Sequence, residues 1–224
     1  MLEKEWKIYC KKSETLLIEG LEKGLISLYD DKLIKKLRNI YYGGVPASII
    51  LLSDAMTNGY CYDRAFLLAR AFLDEDDDIN LIYATVDSLR LNPEYICDAP
   101  LYADHCIVSQ TTKDGRHLIY DTSTGFVYDK EMYWLIENPK IRKIDNKESI
   151  RKFLLEEERI NPSCIKSDKY IARVILPMLE EEALKEAAMY SAKGIGLLQR
   201  EIEHYKQEIG YTTKNKLFIK TDKN

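Results

Sequence analysis

Cys61 is the residue of this chain whose surroundings best suit covalent chemistry. Asn58 and Gly59 precede it and favour an N-cap and a tight turn, and an apolar run to Phe72 follows it. We therefore expect Cys61 in the first turn of a helix, where unpaired backbone N–H groups and the helix dipole stabilise a thiolate. Since the thiolate is the reactive form of cysteine, this position predicts a nucleophile.

A cysteine nucleophile needs a base within hydrogen-bond reach and a third group that orients the base. His105 begins one predicted strand and Asp121 ends the next, so these two residues are the candidates. His117 lies on the strand of Asp121 but four residues away, about 13 Å, which is too far for a hydrogen bond. His204 falls in a charged C-terminal helix, where we expect it to face solvent.

The hairpin between His105 and Asp121 decides whether these side chains can meet, because a shift of one residue turns every side chain to the other face. A two-residue turn at residues 114–115 would turn the Asp121 carboxylate away. A three-residue loop at residues 113–115, closed by a left-handed glycine, would place Asp121 opposite Ile107. Asp121 would then lie diagonal to His105 on one face, at about 7 Å between backbones. Both loops suit this sequence, and a Cys-His-Asp triad requires the second.

The remaining elements predict an α+β protein with the cysteine helix at its centre, since that helix is apolar on nearly every face. We expect a single domain over residues 1–220 and a disordered tail at residues 221–224. Besides the cysteine helix, helices are predicted at residues 2–19 (interrupted at Gly20), 25–39, 47–56, 131–137, 147–158 and about 177–207, and strands at residues 79–86, 105–110, 116–121 and 125–128.

The composition is that of a globular protein without a nucleic-acid partner. Of the 224 residues, 46% are hydrophobic, and the 33 basic and 37 acidic residues, net charge −4, are spread along the chain and form no basic field. Residues 1–7 lack the apolar core of a signal peptide, and the longest apolar run, residues 45–52, is too short to span a bilayer. We expect a cytoplasmic protein without a membrane partner, and signal-less export stays open.

The cysteines predict neither a disulfide framework nor a metal site. Five cysteines at irregular spacing, without a secretory signal, indicate reduced thiols. There is no Cys-x-x-Cys motif, and His105 and Cys106 would point to opposite faces of a strand. The acidic run at residues 74–78 lacks the glycine and the glutamate of a calcium-binding EF-hand loop. We predict no metal and no cofactor.

The pattern around these residues resembles the transglutaminase-like superfamily, within the papain-like thiol enzymes, over about residues 45–128. The resemblance rests on Gly-Tyr-Cys at the head of an apolar helix, a histidine entering a strand, and Leu-Ile-Tyr-Asp-Thr closing the next strand. It implies a papain/transglutaminase-like core at residues 41–145, in which the cysteine helix packs on a small antiparallel sheet. Helical extensions at residues 1–40 and 146–220 would flank this core.

The same resemblance implies roles for individual residues. Cys61 would be the nucleophile, His105 the general base and acid, and Asp121 the group that orients the imidazole. The backbone N–H of Cys61 would stabilise the oxyanion, with the side chains of Asn58 and Tyr60 as further candidates.

These roles predict acyl transfer through a thioester on an amide, hence a peptidase, deamidase or transglutaminase with a protein or peptide substrate. Two alternatives stay open: an acetyl-CoA-dependent amine acetyltransferase, and a non-catalytic binding module whose long C-terminal helix engages a partner. The apolar positions of that helix predict packing on its own domain instead; they are Leu184, Ala187, Ser191, Leu198, Ile202, Tyr205 and Ile209. The sequence does not predict the oligomeric state.

Overall fold

A computed structural model describes residues 15–42, 44–52, 61–75, 77–87, 102–160 and 192–210. These residues form helices and antiparallel strands, which confirms the α+β prediction. The elements are α1 (residues 15–22), β1 (Ile26–Leu28), α2 (Asp31–Leu37), β2 (Tyr41–Tyr42), β3 (Val45–Pro46), α3 (Ala47–Leu52), α4 (Cys61–Arg70), β4 (Asp78–Asp87), β5 (Tyr102–Thr111), β6 (His117–Asp121), β7 (Phe126–Asp129), α5 (Lys130–Glu137), β8 (Lys140–Asn146), α6 (Lys147–Ile160) and α7 (Ala192–Glu208).

The chain divides into two compact units. The first unit comprises Met1–Asp31 and Gly59–Glu156, and the second comprises Lys32–Asn58 and Glu157–Asn224. The predicted single domain and its extensions stay predictions. The predicted tail at residues 221–224 lies outside the described residues.

The first unit is built on a six-stranded sheet in the order β1-β7-β6-β5-β4-β8, with every neighbouring pair antiparallel. One face packs against α5. Its buried cluster consists of Ile26, Ile82, Ala84, Ile107, Ile119 and Tyr128 from the strands and Met132, Tyr133 and Ile136 from α5. The opposite face carries Tyr83 and Tyr120, whose rings contact Tyr62 at the start of α4 and Phe72 just after α4. Helices therefore cover both faces of the sheet.

Strand β1 corrects the prediction of a helix over residues 25–39, which is wrong for its first residues. Residues 26–28 pair with Phe126–Tyr128 of β7, and α2 begins only at Asp31. The predicted break at Gly20 is also wrong, since α1 continues to residue 22. A Cβ on Gly20 would lie 2.5 Å from Cδ1 of Ile26, so the glycine lets β1 pack closely against α1. Pairing with a distant strand overrides the local helical pattern here.

The other edge of the sheet is β8, and the sequence pattern predicts no strand at residues 140–146. Its side chains are mostly exposed, including the apolar Ile141 and Ile144. An edge strand buries few side chains and is commonly charged, so it lacks the alternation by which a strand is recognised.

The second unit contains the hairpin of β2 and β3 and the helices α3 and α7. Arg38 forms two hydrogen bonds of 2.6 Å with the Glu201 carboxylate, and the Tyr205 hydroxyl donates to the carbonyl of Gly44. Four positions of the predicted packing face are buried, three on α7 and one directly after it: Leu198, Ile202, Tyr205 and Ile209. The packing prediction is confirmed for these four, and the remaining three lie outside the described residues. Throughout the described ranges, every helix is too short or too polar to cross a membrane.

Candidate active site

Cys61 is the first residue of α4, which confirms its predicted place in the first helical turn. The residue is 9% exposed, and its Sγ lies 3.9 Å from the backbone oxygen of Asp104. The Cys61 side chain also lies near the imidazole of His105, and its presence there is one of the causes that raise the pKa of His105. The oxyanion candidates Asn58 and Tyr60 lie outside the described residues.

The hairpin has the register that the triad requires. Pairing runs from Val108 with Tyr120 to Thr111 with His117. Thr112 continues this pairing, because its N–H donates to the carbonyl of Arg116 over 2.9 Å. Residues 113–115 therefore form a three-residue loop, and Gly115 has the left-handed φ of 82° that this loop needs.

The imidazole and the carboxylate meet in the interior. His105 Nε2 lies 3.0 Å from Asp121 Oδ1, with His105 4% exposed and Asp121 3% exposed. The predicted proximity of these two side chains is thus confirmed.

Asp121 is held by two further donors. The backbone N–H of Ser123 donates to Oδ1 over 2.9 Å, and the Tyr133 hydroxyl donates to Oδ2 over 3.1 Å. Tyr133 belongs to α5, so its hydroxyl reaches the site from a different element. No local pattern around Tyr133 distinguishes it from an ordinary core tyrosine, and sequence reasoning therefore missed it.

The charges of the pair follow from these contacts. Burial alone lowers the pKa of His105, but the Asp121 charge and hydrogen bonds to Asp121 and Cys61 outweigh it and raise that pKa to about 10. Burial alone raises the pKa of Asp121, yet the charge of His105 and the hydrogen bonds from His105, Ser123 and Tyr133 hold it below its usual range. At neutral pH the two form a buried imidazolium–carboxylate pair.

Cys106 is the neighbouring thiol, and its environment differs. It is fully buried, and burial raises its pKa well above the usual range. Cys61 and Cys106 are both free cysteines. Because a neutral buried thiol is unreactive, Cys106 is a packing residue. Cys61 is the candidate nucleophile because of its place at the start of α4 near His105.

The thiol and the imidazole come from opposite sides of the sheet. His105 pairs with Ala84 on the face that α5 covers, whereas Cys106 pairs with Tyr83 on the face that α4 covers. The pairing of β5 with β6 covers only Val108–Thr111. Beside His105, β5 is therefore not paired with β6.

The other two histidines behave as predicted. His117 is exposed beside the hairpin loop, and its Nδ1 lies 3.1 Å from the Thr111 hydroxyl. His204 is exposed on α7. Among the described residues, no group of three or more histidine, cysteine, aspartate or glutamate side chains is arranged to hold a metal ion.

Comparison with known proteins finds one similarity in sequence. Over 100 residues, 43% of this chain, it is 32% identical to a protein named "Putative zinc finger protein ORF121" from Ostreid herpesvirus 1 (isolate France). The match spans 45% of that protein, less than half of its length. No family model matches the chain, and no solved structure matches it.

Proposed function

We propose that this protein is a cysteine-dependent acyl-transfer enzyme with a papain/transglutaminase-like core. One observation carries the proposal: a thiol at a helix start lies near a buried imidazole, and a buried carboxylate lies 3.0 Å from that imidazole. Nucleophilic thiol catalysis needs these three groups in this order of contact. The bond from Tyr133 adds support, because it fixes the carboxylate that orients the imidazole.

The first half of the reaction forms a thioester. In the starting state His105 already holds the proton of the Cys61 thiol, as an imidazolium, and the thiolate attacks the carbonyl carbon of an amide. The N–H groups of the first helical turn lack helical acceptors, so the backbone N–H of Cys61 can donate to the oxyanion. His105 then gives the proton to the departing nitrogen, the carbon–nitrogen bond breaks, and ammonia or an amine leaves.

The second half releases the acyl group. Water or an amine attacks the thioester, and His105 accepts the proton of the attacking group. The carbon–sulfur bond breaks, and the thiolate is regenerated beside the imidazolium. Asp121 keeps its charge throughout, because its part is to orient the ring and stabilise the imidazolium. Peptide bonds and glutamine side chains are the proposed amides, so the substrate is a protein or peptide.

The test is to trap the acyl-enzyme. The full chain is mixed with a glutamine-containing peptide, quenched in acid within a single turnover, and weighed intact by mass spectrometry. We expect a covalent adduct that maps to Cys61, is absent from Cys61→Ala, and persists in Cys106→Ala, which removes the neighbouring thiol instead. Release of ammonia would identify a deamidase or transglutaminase, and cleaved peptide a peptidase.

Two results would overturn the proposal of amide acyl transfer. One is consumption of acetyl-CoA with acetylation of an amine, which would assign the protein to the acetyltransferases. The other is a folded wild type that forms no adduct with glutamine peptides or with cleavable peptides, which would favour a binding module.

A further inference from the structure

Strand β8 carries a β-bulge beside the candidate site. Tyr83 of β4 is opposite Lys143, but its neighbour Ala84 is opposite Ile141. Arg142 is therefore the extra residue of the bulge. Bulges redirect a side chain locally and are over-represented near active sites.

The redirected guanidinium contacts both residues that flank the reacting pair. Arg142 Nη1 lies 2.9 Å from Oδ1 of Asp104, the residue before His105. Its Nη2 donates over 3.4 Å to the hydroxyl of Tyr62, the residue after Cys61. One side chain thus links the start of α4 to the strand that holds the imidazole.

The backbone at this point already takes part in the site, since the carbonyl of Asp104 is the one that Cys61 Sγ contacts. The Tyr62 ring rests on Tyr83, with centroids 5.7 Å apart. Burial and the nearby charges of Asp104 and Cys61 raise the pKa of Tyr62, so its hydroxyl keeps the proton at neutral pH. Asp104 and Tyr62 therefore offer Arg142 one charged and one neutral partner.

We infer that Arg142 is a positioning residue that holds the start of α4 against β5, so that the Cys61 thiol stays within reach of His105. The inference rests on the proposed function, because it concerns the same thiol–imidazole pair. The Arg142 and Asp104 side chains are 47% and 61% exposed, and exposed ion pairs contribute little to global stability. The consequence of losing Arg142 is therefore local, at the thiol.

The chain offers a matched control in Lys143, the adjacent cation on β8. Lys143 lies 2.7 Å from the Asp145 carboxylate and 5.0 Å from the centre of the Tyr83 ring. Lys143→Gln removes the same charge from the same strand, but it leaves the contacts of Arg142 with Asp104 and Tyr62 in place. Comparing it with Arg142→Gln separates the loss of a clamp from the loss of a positive charge.

The experiment measures the rate of iodoacetamide alkylation at Cys61 against pH, with the site mapped by mass spectrometry and folding checked by thermal melting. In Arg142→Gln we expect the rise of the rate to move to higher pH, with a loss of roughly threefold to tenfold at pH 7, because small displacements of reacting groups are costly. Lys143→Gln should match the wild type. The charge swap Arg142→Asp with Asp104→Arg should recover most of the lost rate.

The possible failures are distinguishable. A wild-type profile unchanged by His105→Ala would overturn both the thiol–imidazole pair and this inference. A profile that depends on His105 but is unchanged in Arg142→Gln would overturn the inference alone, as would equal losses in Arg142→Gln and Lys143→Gln. If Arg142→Gln does not fold, the double variant Arg142→Asp with Asp104→Arg becomes the test. A double variant that folds but alkylates Cys61 as slowly as predicted for Arg142→Gln would overturn the inference.

Discussion

His105 Nε2 lies 3.0 Å from Asp121 Oδ1, and both side chains are almost fully buried. Breaking a buried ion pair from one side leaves a charge without its partner, which costs about 3–5 kcal/mol. Loss of either side chain should therefore lower both the stability of the fold and the rate of the proposed reaction.

Asp121→Asn should remove the negative charge that lies beside the His105 imidazole. Without the carboxylate, the largest cause that raises the pKa of His105 is lost while burial still lowers it, so the pKa of His105 should fall. We expect turnover to fall by on the order of 100-fold or more. Steady-state kinetics checks this, with Asp145→Asn as the control, because it removes a carboxylate from β8 and leaves the His105 pair intact. Equal activity in the two variants would contradict the role of Asp121.

Tyr133→Phe should remove one hydrogen bond to Asp121 without leaving a cavity in the core. The substitution keeps the ring but removes a hydrogen bond to Asp121, which should destabilise the protein by about 1–3 kcal/mol. The pKa of Asp121 should rise, because one cause of its depression is lost. Urea unfolding measures the loss of stability. The decrease of activity at acidic pH measures the rise in the pKa of Asp121. Tyr128→Phe is the control, because the Tyr128 hydroxyl donates to Thr124 and not to Asp121. If the activity of both variants fell off at the same acidic pH, the proposed effect of Tyr133 on the pKa of Asp121 would be contradicted.

The His105–Asp121 pair should make stability depend on pH in two windows. The folded pKa of His105 is raised from 6.5 to about 10, so its contribution is full below pH 6.5 and is lost as the pH rises towards 10. The folded pKa of Asp121 is lowered, so its contribution is lost as the pH falls below 3.8. We expect the unfolding free-energy difference between wild type and His105→Gln to peak between these limits. A difference that stays constant from pH 5 to about pH 10 would refute the coupling.

Gly115→Ala should strain the loop that sets the register. Its φ of 82° is unfavourable for a residue with a Cβ, so we expect a destabilisation of about 1–2 kcal/mol in urea unfolding. Gly196→Ala is the matched glycine control. That residue is exposed on α7 with open space around it, and alanine there should stabilise by about 0.5–1 kcal/mol. The same sign of change in both variants would contradict the left-handed requirement at Gly115.

Local patterns predicted most of the elements and the residues of the candidate triad. The apolar run after Cys61 placed the cysteine at a helix start, and β4, β6 and β7 lie within a residue or two of their predicted positions. Such features depend on neighbours within a few residues, which the sequence displays directly. The same local chemistry allowed two loops between His105 and Asp121, and it could not choose between them.

Tertiary structure decided the features that depend on distant residues. It selected the three-residue loop, which brings Asp121 to His105. It made β1 a strand through pairing with β7, and it brought the Tyr133 hydroxyl from α5 to the carboxylate. It also placed Arg142 on a bulge of an exposed edge strand. The amino-acid sequence by itself determined the reactive groups and their local elements, whereas contacts between remote segments determined their geometry, because pairing and packing energies arise only when those segments meet.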